Sequence, residues 1–203
     1  MSSVSVRSVI ATSALFFLTA CGVDRTGLSA TSSRSMKGPE NAGVTLTEFG
    51  DFQCPACGSA YTIINLPLEK KYEGKIRFAF KHFPLRNIHE NAYESAQAAE
   101  CAADQGKFWE FLDMDYTHQK DLSSKMLRTW GAALGLDADL FDRCIRSEIK
   151  GDTVMADEAE GEKLGVQGTP SYFVNGVRVK ENTLEAISAA IDEALTQAKN
   201  APL

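Results

Sequence analysis

Val44-Thr45-Leu46-Thr47-Glu48-Phe49, followed after Gly50-Asp51-Phe52-Gln53 by Cys54-Pro55-Ala56-Cys57, is the stretch from which the fold is read. Its first part alternates apolar and polar residues, as a strand does. Its second part reads as the start of a helix that runs to about Tyr72. Pro55 suits the first turn, where a missing N–H costs nothing, and Pro67 should kink or split the helix. Two cysteines two residues apart at a helix start can close a small disulfide ring. Cys54 is then placed where free N–H groups and the helix dipole favour negative charge. That lowers the thiol pKa and supplies thiolate, the reactive form. A tenfold gain in thiol acidity corresponds to about 1.4 kcal/mol in favour of the thiolate. A stable thiolate also leaves readily, which makes the disulfide form a stronger oxidant. The competing reading is half of a zinc site. Structural zinc needs four ligands, usually with a second close pair. Cys101 and Cys144 stand alone, and His82, His89 and His118 form no close pair, so no metal is expected.

Outward from this stretch, Ile76 to Phe80 reads as a second strand and completes a β–α–β unit. Asn87 to Asp104 is Ala-rich with helical spacing at Ala92, Ala96, Ala99 and Ala103, and Gly106 ends it. Helices then follow over Lys107 to Tyr116, Ser123 to Leu134, Asp137 to about Lys150, and Thr153 to Leu164. Asp137 is a plausible N-cap. Phe108, Trp109 and Phe111 read as core, and Asp157, Glu158, Glu160 and Glu162 as a solvated helix face. Strands return with Ser171 to Val174 and Val177 to Val179, which flank Asn175-Gly176, the strongest short hairpin signal. Gly168-Thr169-Pro170 precedes the first of them. Pro170 is either an ordinary trans residue opening an edge strand or part of a rare cis bond. A last helix spans Thr183 to about Ala198. The class is α/β.

The 203 residues suit one compact domain with terminal extras. A net charge of -6 and a pI near 5.2 argue against nucleic-acid binding, which needs basic surface. Val9 to Ala20 is an apolar run of about a dozen residues, the length of a secretory h-region and short for a permanent membrane span. Leu18-Thr19-Ala20-Cys21 resembles the lipobox of bacterial lipoproteins, which implies cleavage before Cys21 and a lipid on it; the alternative is an ordinary secretory signal. Residues 1–20 are therefore expected to be a lipoprotein signal peptide and 21–40, rich in Ser, Thr and Gly, a flexible tether. Export places the cysteines where disulfides persist. With Cys21 lipidated four remain, and four can pair in three ways. The close pair suggests Cys54–Cys57 and Cys101–Cys144; the alternative for the latter is two buried free thiols.

The order of motifs is similar to the thioredoxin superfamily, and within it to the DsbA-like branch, whose helical domain is inserted into the thioredoxin fold. Phe80-Lys81-His82-Phe83-Pro84-Leu85, Gln105-Gly106-Lys107-Phe108-Trp109 and Gly165-Val166-Gln167-Gly168-Thr169-Pro170 carry the resemblance together with Cys54 to Cys57. It implies a thioredoxin fold over about 41–200 with an all-helical insertion at about 87–150. It also implies roles. Cys54 is the attacking and attacked thiol, and Cys57 the resolving thiol. Thr169 and a cis Pro170 form the loop that faces the pair and binds an extended substrate. Glu48 matches the buried acid that relays protons to the resolving thiol; its alternative is an acid at an exposed strand edge. DsbA itself has His where this chain has Ala56, so the Cys54 pKa is expected below an ordinary thiol but above that of DsbA.

The expected function is disulfide donation or exchange in exported proteins outside the cytoplasm. The partners are thiol-containing substrates, a membrane thiol oxidase, and the membrane itself through the lipid on a monomeric chain. No metal, nucleotide or flavin cofactor is implied. A reductase or isomerase using the same pair is the first alternative, and no dimerisation domain precedes the motif to favour the isomerase. A surface-anchored binding module with an incidental thiol pair is the second.

Overall fold

A computed structural model describes residues 23–200; the expected signal peptide and Cys21 lie outside them. Four strands form one sheet in the order β2-β1-β3-β4. β1 (Thr45–Gly50) runs parallel to β2 (Arg77–His82) and antiparallel to β3 (Ser171–Val174), which pairs antiparallel with β4 (Val177–Arg178). Asn175 and Gly176 turn the last hairpin at φ 46° and 80°, the left-handed region that Asn and Gly tolerate best. The Asn175 carboxamide oxygen also accepts from the Thr45 N–H at 2.7 Å, which ties this turn to β1.

The connection from β1 to β2 contains α1 (Pro55–Ala60), a π-helical turn (Tyr61–Asn65) and α2 (Leu66–Lys71). The single helix expected from Cys54 to Tyr72 is thus continuous in path but widened midway. Pro67 has no N–H to offer the carbonyl four residues before it, and its ring would crowd that carbonyl. A wider turn just before the proline accommodates both effects.

Alternation along β1 sends Leu46 and Glu48 to one face of the sheet and Phe49 to the other. On the first face Leu46, Ile64, Leu68, Tyr72 and Val174 pack with Ile187 and Ile191 of α8 (Leu184–Asn200). On the second face Phe49, Val166 and Phe173 pack with Phe83, beneath α7 (Gly151–Lys163). A Cβ on Gly161 would stand 2.7 Å from the Phe83 ring and 3.0 Å from the Phe49 ring, so the missing side chain lets α7 lie close to the sheet.

α3 (Ala92–Ala103), α4 (Phe108–Thr117), α5 (Ser124–Ala133) and α6 (Ala138–Arg146) form the helical block inserted between β2 and α7. Phe108, Phe111, Leu127, Trp130 and Phe141 fill its core. Cys101 on α3 and Cys144 on α6 are joined by a disulfide and are both buried. α3 starts at Ala92, later than the sequence pattern suggests, because the residues before it are held in a loop. Asp51 accepts from the Leu85 N–H and pairs with His89, and the Gln53 side chain accepts from the Asn91 N–H. α6 stops at Arg146, earlier than expected, and Glu148 turns the chain at φ 51°.

The described part of the expected tether is not loose. It is a strap laid across the helical block. Arg143 donates to the carbonyls of Asp24 and Thr26, Lys150 to that of Thr31, and Trp109 to that of Ser35. Lys37 exchanges backbone hydrogen bonds with Phe78 and so covers the outer edge of β2. Arg34 reaches inward to Glu100 and Asp157. Glu100 also accepts from Ser32 at 2.6 Å and lies 3.0 Å from His82. Asp157 is 4% exposed and is held by Arg34, Lys81 and the His82 N–H, so it does not belong to a solvated face. The composition that suggested a tether serves here to satisfy carboxylates buried by α3 and α7.

Two outcomes follow from this packing. Burial alone would raise the Glu100 pKa, but the hydrogen bond and charge of His82, then Arg34 and Ser32, hold it at about 2 against an ordinary 4.5. A lowered folded-state value stabilises the protein above the unfolded pKa, and that stability is lost as pH falls from about 4.5 towards 2. Glu100→Gln should therefore cost about 3 kcal/mol at neutral pH in a denaturant titration, with the gap to wild type closing on acidification. Cys101 and Cys144 are 43 residues apart, so their joint replacement by Ala should lower stability by about 4 kcal/mol. Alkylation of the unfolded protein without reductant should leave both cysteines unlabelled; labelling at both overturns the bridge.

Candidate active site

β1 ends at Gly50, and Asp51-Phe52-Gln53 carries the chain to Cys54 at the start of α1. Asp51 organises this turn. Its side chain accepts from the Gln53 N–H at 2.7 Å and pairs with His89 at 2.7 Å, and its carbonyl accepts from the Cys54 N–H at 3.1 Å. Cys54 has the extended backbone of an N-cap, φ −70° and ψ 119°, with Pro55 as the first helical residue. Its sulfur thus faces the free N–H groups of the first turn. On the other side it lies 3.5 Å from the Thr169 carbonyl oxygen. The Thr169–Pro170 peptide bond is cis.

Cys54 and Cys57 are both free thiols here, and both are buried. Their acidities are driven in opposite directions. The Cys57 thiol donates to the Cys54 sulfur, and this is the largest effect on Cys54; burial opposes it, and the Thr169 side chain and the N–H groups of Cys57 and Ala56 add to it. The Cys54 pKa falls from 9.0 to about 5. Burial pushes Cys57 well above the ordinary thiol range, and the neighbouring Cys54 and Glu48 push it further.

Glu48 is 7% exposed, so the reading of it as an exposed strand-edge acid fails. Burial raises its pKa to about 8, opposed by a hydrogen bond from Asn65. The Asn65 amide donates to Glu48 Oε2 at 2.7 Å, and the Asn65 oxygen accepts from the Tyr172 hydroxyl at 2.7 Å. Glu48 Oε1 has no partner among the described residues. The carboxyl borders a cavity of ≈ 30 Å³ shared with Asn65, Tyr61 and Tyr172, enough for one water.

Cys54, Cys57, Glu48, Thr169 and Pro170 are thus assembled around one point, although they come from three separate parts of the chain. Cys101 and Cys144 are not part of it, and Cys21 lies outside the described residues. Sequence reasoning missed Asn65, Tyr116, Tyr172 and Gln119, none of which falls in a motif. Gly50 did carry a signal, as a glycine closing a buried strand. A Cβ there would stand 2.6 Å from the Phe80 ring and 2.7 Å from the Tyr116 hydroxyl, so its absence lets Tyr116 reach the site.

The profile described as Thioredoxin matches residues 31–193. Among curated proteins, the Na(+)/H(+) antiporter NhaA 1 of Salinispora arenicola is 37% identical over 169 residues, which is 82% of this chain and 26% of that protein. The chain thus spans about a quarter of the length of the curated relatives it matches. Among solved structures, oxidised BdbD from Bacillus subtilis superposes with a TM-score of 0.74 at 22% identity, covering 81% of this chain and 94% of BdbD. Alpha-DsbA1 from Wolbachia pipientis gives a TM-score of 0.71 at 21% identity, over 81% and 92% of the two chains. At such identities the likeness concerns the fold. With the sheet order, the helical insertion and the matched profile in agreement, the chain belongs to the thioredoxin family and carries its fold in the DsbA-like form.

Proposed function

We propose that this protein is an extracytoplasmic thiol–disulfide oxidoreductase that forms or exchanges disulfides in exported proteins through Cys54 and Cys57. The observation that carries this reading is a pair of free thiols within a single helix turn, with Cys54 at the N-cap, 3.5 Å from the carbonyl of Thr169 in the cis Thr169–Pro170 loop; the opposed acidities of the two thiols agree with it. In the oxidised form a substrate thiolate attacks Cys54, the Cys54–Cys57 bond breaks, and Cys57 leaves. Cys57 binds protons tightly, and in this reading Glu48, largely protonated at neutral pH, supplies one. A second substrate thiolate then attacks the substrate sulfur of the mixed disulfide, and Cys54 leaves as a stabilised thiolate. The substrate loses two electrons and the pair gains them. A membrane thiol oxidase would take them up again. Thr169 and Pro170 offer backbone groups beside Cys54 against which an extended substrate can lie.

The location is part of the same proposal. It is supported by the secretory pattern of residues 1–20, the lipobox-like Cys21, and a Cys101–Cys144 bridge that suits an oxidising compartment. No described helix is long and apolar enough to cross a membrane. The matched antiporters are named for ion exchange. We keep the reading on the thiols, because the match spans a quarter of those proteins and the two free thiols stand one helix turn apart beside the cis Thr169–Pro170 bond.

The Cys54 thiolate absorbance should titrate near pH 5 and vanish in Cys54→Ser, with loss of exchange activity. A low thiol pKa stabilises the reduced form, so the pair should be more oxidising than thioredoxin, whose potential is about −270 mV. A potential at or below that value turns the direction to reduction. Glu48→Gln should slow the release of Cys57 by up to about 10²-fold. With a substrate thiol already ionised at pH 7, the wild-type rate should fall as pH rises past about 8, where Glu48 loses its proton, and the variant should lack that fall.

A further inference from the structure

Gln119 lies in the loop after α4, in the helical block. Its side-chain amide donates to the Phe52 carbonyl at 2.7 Å and to the Cys54 carbonyl at 2.9 Å. These carbonyls stand on either side of Gln53, in the turn that delivers Cys54 to α1. The Cys54 carbonyl is also the first acceptor of the helix, taking the Gly58 N–H at 3.1 Å. One side chain from the inserted block therefore grips the backbone of the thiol residue itself.

A second observation concerns Gly58. It lies inside a helix, without the positive φ that would call for glycine. Alanine is the better helix former there. Yet a Cβ on Gly58 would stand 2.0 Å from Gln119 Oε1 and 2.5 Å from its Cδ. The empty side-chain position is the space that the Gln119 carboxamide fills.

The geometry points to Gln119 and Gly58 as a matched pair that clamps the start of α1 to the helical block and so positions Cys54 for thiol exchange. The inference rests on the reading of Cys54 as the reactive thiol. Gln119 touches no sulfur; it is a positioning residue. An N-cap residue is held by fewer backbone hydrogen bonds than the helix behind it. Cys54 is an effective thiolate only while its sulfur stays over the first N–H groups of α1. Pinning the Phe52 and Cys54 carbonyls restricts the rotations that would move it away. A neutral amide suits this task, because a carboxylate would face two carbonyl oxygens.

The test uses the full chain and four variants: Gln119→Ala, Gln119→Met, Gly58→Ala, and Gly58→Ala with Gln119→Ala. The readouts are the Cys54 pKa from thiolate absorbance and the melting temperature. Gln119→Met keeps the volume but offers no donor, so it should make Cys54 about tenfold less acidic, as Gln119→Ala does. Gly58→Ala should do the same by evicting Gln119. The double variant should go no further than either single one, and should melt above Gln119→Ala because alanine favours the helix once the space is empty. An unmoved Cys54 pKa in Gln119→Met, or effects that add in the double variant, overturns the clamp. A wild-type Cys54 that titrates as an ordinary thiol, at about 8.5, overturns the oxidoreductase reading itself.

Discussion

Only 6% of Cys54 reaches solvent, so water does little to stabilise charge on its sulfur. The stabilisation comes from fixed donors: chiefly the Cys57 thiol, with the N–H groups of Cys57 and Ala56. Every neighbouring feature serves their alignment. Asp51 shapes the turn before the helix. The Thr169–Pro170 loop closes the other side. The helical block reaches over to hold the carbonyls that flank Gln53. Such donors need no reorganisation as charge develops, which is why a small number of hydrogen bonds can move a pKa this far.

The same low-polarity surroundings act on Glu48 and Cys57 in the opposite sense. Neither meets a cation among the described residues, so burial favours the protonated form of each. One site thereby holds a stabilised anion and two retained protons within a short distance. The π-helical turn contributes directly, since Asn65 lies in it and links Glu48 to Tyr172. A widened turn forced by Pro67 is thus also the element that orients the acid.

Away from the site, burial of charge is resolved by pairing. Glu100 and Asp157 are as enclosed as Glu48, but each meets Arg34, and Glu100 meets His82 as well. Their contacts with Arg34 join the strap to α3 and α7. Comparable burial gives a paired strut in one place and an acid with a raised pKa in another, and the presence of a cationic partner accounts for the difference.

Much of this was legible locally. The alternation of Val44 to Phe49, the Pro55 start, the Asp137 cap and the Asn175-Gly176 turn depend on the backbone preferences of residues adjacent in the chain. So does the placing of Cys54 at a helix start. The class and the thiol pair were therefore determined by sequence alone. The tertiary structure decided the rest. Glu48 could have faced water until the π-helical turn and α4 covered it. Residues 23–38 read as a tether until Arg34 met carboxylates 66 and 123 residues away. Gln119 carries no local signal because its partner, the Cys54 carbonyl, lies 65 residues back. Protonation, clamping and ion pairing depend on what the fold brings close, and a linear pattern does not contain those distances.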